Sequence, residues 1–213
     1  MTDSPEAATI KDDPLKGLLA RKGRLFVVSG PSGVGKGTVI AGLQKQEHPE
    51  AYLTRCITAT TREPRIGERD GVNYFFFSPE EFERRIASGY FLEHVNYNGS
   101  YYGTPRDEVE QLSAEGRDVV LEIEVQGGIA VKKAIPDSVL VFIAPPSWDE
   151  LERRLRSRRT DSEDHVQRRL AIAREEMRAA PNYHYVVVND ELESAVRRLS
   201  AIVTAEKCRI VAN

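Results

Sequence analysis

Cysteine, long apolar segments and excess positive charge are all scarce in this sequence of 213 residues. The two cysteines, Cys56 and Cys208, are too few for a disulfide framework or a cysteine-rich metal cluster, which favours idle thiols in a reducing cytosol. No apolar run approaches the roughly 18 residues that a membrane-spanning helix requires. The first residues, MTDSPEAATIKDDP, are polar and acidic, unlike a signal peptide. These absences predict a cytoplasmic protein without membrane association.

The net charge of the chain indicates which kinds of partner it is expected to bind. The net charge is −3, whereas domains that follow nucleic-acid phosphates are usually basic, so no nucleic-acid partner is expected. Hydrophobic residues make up 40% of the chain and charged residues 30%, as in a soluble globular domain. The sequence does not indicate an oligomeric state.

Four apolar, β-branched runs predict the strands of a sheet. Most are continuous rather than alternating, as expected for strands covered on both faces of a parallel sheet. The runs are RLFVVSG (24–30), DVVLEIE (118–124), SVLVFIAPP (138–146) and YVVVND (185–190). Helical patterns lie between them, the clearest from Leu192 to Val203, where apolar residues recur at spacings of three and four. This alternation predicts an α/β fold with a parallel sheet flanked by helices.

Two segments interrupt the alternation. Residues 58–104 are rich in Gly, Pro, Tyr and Arg and contain the run NYFFF, which indicates a small β-rich insertion. Residues 151–169, LERRLRSRRTDSEDHVQRR, are too charged for a core helix along their whole length and favour a helix–loop–helix arm on the surface. Such arms are common lids over active sites, although a solvated basic face is an alternative for this run.

A glycine-rich loop, GPSGVGKGT, joins the first predicted strand to a predicted helix, TVIAGLQKQ. Its glycines allow successive N–H groups to point inward as an anion nest that continues into the positive end of the helix. Lys36 adds a mobile charge for the β- and γ-phosphates of a nucleotide. The predicted ATP-binding residues of the loop are Gly30, Pro31, Ser32, Gly33, Val34, Gly35, Lys36, Gly37 and Thr38.

The loop departs at one position from the usual pattern G-x-x-x-x-G-K-[ST]. Gly37 occupies the place of the Ser or Thr whose hydroxyl holds Mg²⁺, and Thr38 follows one residue later. A glycine inside a helix costs about 0.8–1 kcal/mol relative to alanine. Gly37 therefore indicates the close approach of another group to the backbone, and Thr38 still offers a hydroxyl near the phosphates.

A second anion site is indicated downstream of the loop. Arg62 and Arg65 lie in the Pro/Gly-rich segment TATTREPRIGERDG, and Tyr74 follows nine residues after Arg65. Guanidinium groups match phosphate oxygens with two parallel hydrogen bonds, so this trio suits the clamping of a second phosphate. An ordinary solvated surface loop is the alternative.

Glu93, in the segment FLEHVNYNGSYYGT, follows two apolar residues. A carboxylate in apolar surroundings can accept from both N1–H and N2–H₂ of guanine, whereas adenine presents a lone pair at N1. The alternative is an exposed position on a helix, and spacing alone leaves the two open.

An ordered set of such motifs resembles the guanylate kinases from about residue 23 to 207. The motifs are SGPSGVGKG, TTREPRIGE, FLEHVNYNGSYYGT, LEIEVQG, FIAPPS, RRL and VVNDELE. The resemblance implies a P-loop nucleoside-monophosphate-kinase fold that transfers the γ-phosphate of ATP, bound with Mg²⁺, to GMP or dGMP. The division that it implies is a flexible tail (1–22), a core (23–57, 105–150 and 170–207), a GMP-binding insertion (58–104), a lid (151–169) and a C-terminal tail (208–213).

The resemblance also implies roles for individual residues. The implied GMP contacts are Thr58, Arg62, Arg65, Tyr74, Glu93, Tyr102, Thr104 and Glu124. The implied catalytic residues are Lys36, Arg158 and Arg169. Asn189 would lie near the adenine end of ATP, and the candidate contacts of Mg²⁺, through water, are Thr38 and Glu122.

Two features depart from the family pattern. The usual Asp-x-Asp of the acidic strand is Glu122 and Glu124 here, whose longer side chains change the reach toward Mg²⁺ or the guanine amino group. The usual Gly-Arg-Gly of the lid is Ser157, Arg158 and Arg159, which predicts a stiffer and more basic hinge.

The implied reaction needs no general base, because the attacking oxygen belongs to an ionised phosphate. The four histidines accordingly form no recognisable catalytic grouping: His48, His94, His165 and His184. Two other functions stay open: a scaffold of the same fold without catalysis, and a kinase for another acceptor such as AMP. Lys36 and the lid arginines favour an enzyme, and TTREPRIGE does not resemble the adenylate kinases.

Overall fold

The four apolar runs form four of the five strands of a parallel sheet. The structure is a computed structural model of the chain, and it describes residues 23–45, 51–97, 99–157 and 163–210. The strands of this part of the chain are β1 (Leu25–Ser29), β2 (Thr54–Arg55), β3 (Ala59–Thr60), β4 (Phe75–Phe76), β5 (Phe91–Tyr97), β6 (Ser100–Pro105), β7 (Val119–Glu122), β8 (Val139–Ala144) and β9 (Tyr185–Val188). Five of them form the sheet β2-β7-β1-β8-β9, in which all neighbouring strands run parallel.

Helices cover both faces of this sheet. They are α1 (Lys36–Lys45), α2 (Pro79–Ala87), α3 (Arg106–Ala114), α4 (Val125–Ala134), α5 (Trp148–Arg156), α6 (Glu163–Arg178) and α7 (Leu192–Cys208). Phe26 and Val28 of β1 pack in one buried cluster with residues of α1 and α7, and Val27 packs in another with residues of α3 and α4. Because successive side chains of a strand point to opposite faces and both faces are covered, β1 is buried throughout, which confirms the predicted α/β class.

The segment between β2 and α3 forms a separate mixed sheet in the order β4-β3-β6-β5. Its long pair, β5 and β6, is antiparallel, and α2 packs against it. The side chain of Phe82 on α2 is fully buried and stacks between Phe91 and Tyr101, with ring centroids at 4.3 Å and 5.3 Å. This small aromatic core lets the predicted β-rich insertion fold beside the larger sheet.

Helices α5 and α6 form a pair with its own apolar contacts, which suits the predicted helix–loop–helix arm. The buried residues of this pair are Leu151, Leu155, Val166, Leu170 and Ala173. Helix α6 continues to Arg178, so the predicted end of the lid at residue 169 falls inside one continuous helix. The boundaries of lid and insertion stay predictions. Within the described ranges, no helix is long and apolar enough to cross a membrane.

Truncation of Phe82 tests whether the aromatic cluster holds the insertion together. The variant Phe82→Ala should lower the free energy of unfolding by about 3–5 kcal/mol, because a buried ring is replaced by a cavity. Urea denaturation followed by circular dichroism measures this loss. The matched control is Ile66→Ala in the same insertion, where the side chain is fully exposed and the expected change is within about 0.5 kcal/mol. A loss below about 1 kcal/mol for Phe82→Ala would show that the cluster contributes little.

Candidate active site

The phosphate loop lies at the carboxyl end of β1, in the middle of the parallel sheet, where ligands of such sheets bind. Gly30 has a φ of 147°, and a Cβ there would lie 2.2 Å from the carbonyl oxygen of Ile143. Gly35 has a φ of 94°, and a Cβ there would lie 2.7 Å from Nδ2 of Asn189. Both positions require glycine, and the loop leads directly into the amino terminus of α1.

The side chain of Lys36, the first residue of α1, folds back over the loop. It is buried, its Nζ donates to the carbonyl oxygen of Gly30 at 2.7 Å, and Oε2 of Glu124 lies 3.9 Å from Nζ. The structure thus places Lys36, which is predicted to contact ATP, close to Glu124, which is predicted to contact GMP.

A carboxylate lies where the missing side chain of Gly37 would be. A Cβ at this position would lie 3.0 Å from Oε1 and 3.2 Å from Oε2 of Glu122. The predicted close approach to Gly37 therefore comes at least in part from the protein itself. Arg55 donates to Oε2 of the same carboxylate, and the neighbouring Thr38 is exposed.

Asn189 lies behind the phosphate loop. Its Nδ2 donates to the carbonyl oxygen of Val34 at 2.7 Å. Arg154 of α5 donates to the same oxygen at 3.4 Å and to the carbonyl oxygen of Asn189 at 3.0 Å. Arg154 was not among the predicted site residues, because its contacts with the loop span 120 positions of sequence.

The predicted phosphate clamp is partly assembled. The Arg62 guanidinium lies 5.6 Å from the ring centroid of Tyr74, and the rings of Tyr74 and Tyr102 are 6.3 Å apart. Arg62 also donates to both oxygens of Glu68, at 2.9 Å and 3.0 Å. Arg65 joins through its backbone N–H, which donates to Glu68 at 2.7 Å, while its side chain is exposed.

Glu68 is a member of this cluster that the sequence analysis missed. Burial acts to raise the pKa of its carboxyl, but hydrogen bonds from the Arg65 backbone and from Arg62 outweigh this and hold the pKa below its usual value. Glu68 therefore stays ionised and balances the charge of Arg62. The spacing of six residues between Arg62 and Glu68 in a Gly/Pro-rich loop gives no periodic signal.

Glu93 lies on β5 and is buried, with 6% of its surface exposed, so the exposed-helix interpretation was wrong. Thr104 on β6 donates from its hydroxyl to Oε1 at 2.7 Å, while Oε2 has no hydrogen-bond partner among the described residues. Burial raises the pKa of Glu93 to about 7, against the opposing effect of Thr104. A Cβ at Gly127 would lie only 2.7 Å from Oε2, so a glycine there leaves room for the carboxylate.

Six of the predicted site residues line one cleft between the two sheets. These residues are Thr58, Tyr74, Glu93, Tyr102, Glu122 and Glu124. The lining combines the apolar Val95 and Ile123 with three carboxylates, of which Glu93 is buried. Tyr74 and Tyr102, which neighbour Arg62, complete it. Since Glu122 also reaches Gly37, the cleft opens against the start of α1.

Helix α6 contacts the phosphate loop through one of its arginines. Arg169 donates to the hydroxyl oxygen of Ser32 at 2.8 Å, which brings this predicted catalytic residue to the loop. Arg158, the other predicted lid arginine, lies outside the described residues.

Glu176 is a third residue that the sequence did not predict, after Arg154 and Glu68. It lies two helical turns after Arg169 on α6 and is buried, with 8% exposed. Burial and, to a smaller extent, the nearby charge of Glu124 together raise its pKa to about 8, although Lys36 acts in the opposite direction. The seven-residue spacing from Arg169 was the available signal, because it places both side chains on one face of the helix.

Comparisons with known proteins show the family of the chain. The family model described as "Guanylate kinase" matches residues 22–206. The chain is 51% identical over 190 residues to a guanylate kinase of Bacillus cereus, covering 89% of this chain and 92% of that protein. It is 51% identical to a guanylate kinase of a Synechococcus species, covering 85% of this chain and 95% of that protein.

A solved structure gives the same result. The crystal structure of guanylate kinase from Anaplasma phagocytophilum superposes with a TM-score of 0.74 at 33% identity, covering 89% of this chain and 88% of that chain. The family match spans most of the sequence, and the relatives match over most of their own length. The chain therefore belongs to the guanylate kinase family.

Proposed function

We propose that the protein transfers the γ-phosphate of ATP to GMP, and to dGMP, to give ADP and the nucleoside diphosphate. The observation that carries the proposal is the buried Glu93 carboxylate, whose Oε2 lacks a partner in the described part of the chain and lines a cleft beside the phosphate loop. Guanine offers two adjacent donors to such a carboxylate. An AMP-specific kinase is disfavoured, because adenine would leave Glu93 unpaired.

The chemistry rests on positioning and charge neutralisation. The attacking GMP oxygen is already ionised at neutral pH, so the protein needs to hold two anionic substrates in line. Lys36 would contact the transferring phosphate from the loop, and Arg169 and Arg158 from the lid. Arg62, Arg65, Tyr74 and Tyr102 would hold the GMP phosphate at the far end of the cleft.

The residues near Gly37 fit a magnesium ion that arrives with ATP. Mg²⁺ prefers oxygen ligands and keeps several of its waters, and both oxygens of Glu122 lie close to the Gly37 backbone. Glu122, with Thr38, would hold the ion through water. When bound, Mg²⁺ neutralises charge on the ATP phosphates. The protein residues orient the phosphates, and closure of the lid excludes water that would otherwise hydrolyse ATP.

Removal of the loop cation tests the donor site. The variant Lys36→Ala should lower turnover by at least about 10²–10³-fold, because it removes a charge placed at the transferring phosphate. GMP affinity should change little. A coupled assay of ADP release measures turnover, and titration calorimetry measures GMP binding. Lys45→Ala, at the exposed end of α1, is the control. Near-normal turnover in Lys36→Ala would contradict the assignment of this loop to ATP binding.

Substitution of the buried carboxylate tests the acceptor site. Glu93→Gln should lower kcat/KM for GMP by about 10–100-fold, because an amide N–H₂ group replaces one of the two acceptor oxygens. The KM for ATP should be unchanged. The assay compares GMP, dGMP, AMP, CMP and UMP as acceptors, with Glu63→Gln as an exposed control in the same insertion. Unaltered selectivity for GMP in Glu93→Gln would remove this residue from base recognition.

The raised pKa of Glu93 predicts a pH dependence of GMP recognition. With a pKa of about 7, the carboxyl is increasingly protonated as the pH falls below 7, and the protonated form cannot accept from both guanine donors. The kcat/KM for GMP should therefore be level above this pH and fall below it, approaching about tenfold per pH unit. Glu93→Gln retains the titration of the GMP phosphate itself, so subtracting its pH profile isolates the carboxyl. An identical profile in the variant would contradict the prediction.

A further inference from the structure

An arginine on the edge strand of the main sheet binds the carboxylate beside the phosphate loop. Arg55 ends β2, which pairs with β7, and Glu122 ends β7. The Arg55 guanidinium donates to Oε2 of Glu122 in a charge-assisted hydrogen bond. The Glu122 side chain is 21% exposed and that of Arg55 is 47% exposed, so the pair lies at the rim of the cleft.

The bond from Arg55 distinguishes the two oxygens of Glu122. Both oxygens lie beside the start of α1, at 3.0 Å (Oε1) and 3.2 Å (Oε2) from the Cβ position of Gly37, but Arg55 donates to Oε2 alone. The carboxylate is thus held at Oε2, which leaves Oε1 as the oxygen that Arg55 does not engage. Without the guanidinium, the side chain could rotate toward solvent, because it is only partly enclosed.

Tyr74 shows that this pair also lies close to the acceptor side of the cleft. Burial raises the pKa of its hydroxyl, the charge of Glu122 raises it further, and Arg62 and Arg55 act in the opposite direction. Glu122 therefore lies between the phosphate loop and the predicted phosphate clamp around Arg62 and Tyr74. An anion at this place without a neighbouring cation would repel both substrates.

We propose that Arg55 is a positioning residue for the divalent cation of the substrate: it fixes Glu122 so that Oε1 faces the phosphates bound at Gly37. The proposal rests on the proposed function, since it concerns a nucleoside triphosphate bound with its metal. Outer partners of metal-binding side chains typically contribute about 10–100-fold to metal affinity, because they orient the ligand. Arg55 acts through Glu122 and need not touch the substrate.

The experiment measures how much Mg²⁺ tightens the binding of ATP, which requires no turnover. Titration calorimetry without GMP gives the Kd of ATP in EDTA and in excess Mg²⁺, and the ratio of the two is the metal-dependent gain in affinity. By thermodynamic linkage, a loss of this gain equals a loss of affinity for the metal in the complex. The variants are Arg55→Gln, Arg55→Lys, Glu122→Gln and the double variant, with Arg106→Gln as an exposed control.

Arg55→Gln should lose about tenfold of the metal-dependent gain, with the Kd of ATP in EDTA unchanged. Arg55→Lys should keep part of the gain, and the double variant should lose no more than Glu122→Gln alone. A normal gain in Arg55→Gln beside a reduced gain in Glu122→Gln would overturn the role of Arg55. Normal gains in both would overturn the role of Glu122 as well. Neither result touches the proposed function, which GMP-dependent ADP release by the unaltered protein tests separately.

Discussion

Repulsion between phosphates dictates where the charges of this protein lie. Two unit charges 4 Å apart interact by about 4 kcal/mol at an effective dielectric constant of 20, and each substrate carries several. The site must therefore hold several cations, and half-buried cations are costly unless an anion lies beside them. Lys36 has Glu124 at 3.9 Å and Arg62 has Glu68 at 2.9 Å. These two cations are thus balanced by carboxylates in the folded protein, and in the proposed reaction the phosphates of the substrates would compete with those carboxylates.

The two sheets supply different charged parts of the site. The parallel sheet supplies the phosphate loop and the acidic end of β7 from its carboxyl edge, while the mixed sheet supplies the buried acceptor and the arginine–tyrosine cluster. Helix α6 adds Arg169, which contacts the phosphate loop, and the buried Glu176. A change in the relative position of these groups would alter the contacts between them, such as the hydrogen bond from Arg169 to Ser32.

The parts of the site that depend on local sequence could be predicted, and the parts made by long-range contact could not. The phosphate loop follows from its strand, glycines and helix, and the α/β class from continuous apolar runs. The burial of Glu93 was undecidable from spacing, because Thr104 and Gly127 enclose it from β6 and α4. Arg154 was missed because its contacts with the loop are distant in sequence, and Glu176 because its helical spacing from Arg169 is shared by other charged residues of α6 that stay exposed.

Three glycines of the phosphate loop lie against protein neighbours. A Cβ at Gly30 would strike a backbone carbonyl of β8, one at Gly33 would lie 2.7 Å from Cδ2 of Leu155, and one at Gly35 would lie 2.7 Å from Nδ2 of Asn189. All three also have a positive φ, which side chains other than that of glycine rarely adopt. These constraints act whether or not a nucleotide is bound. The glycine signature therefore records how β8, α5 and the residue after β9 pack around the loop, as well as the room that a phosphate needs.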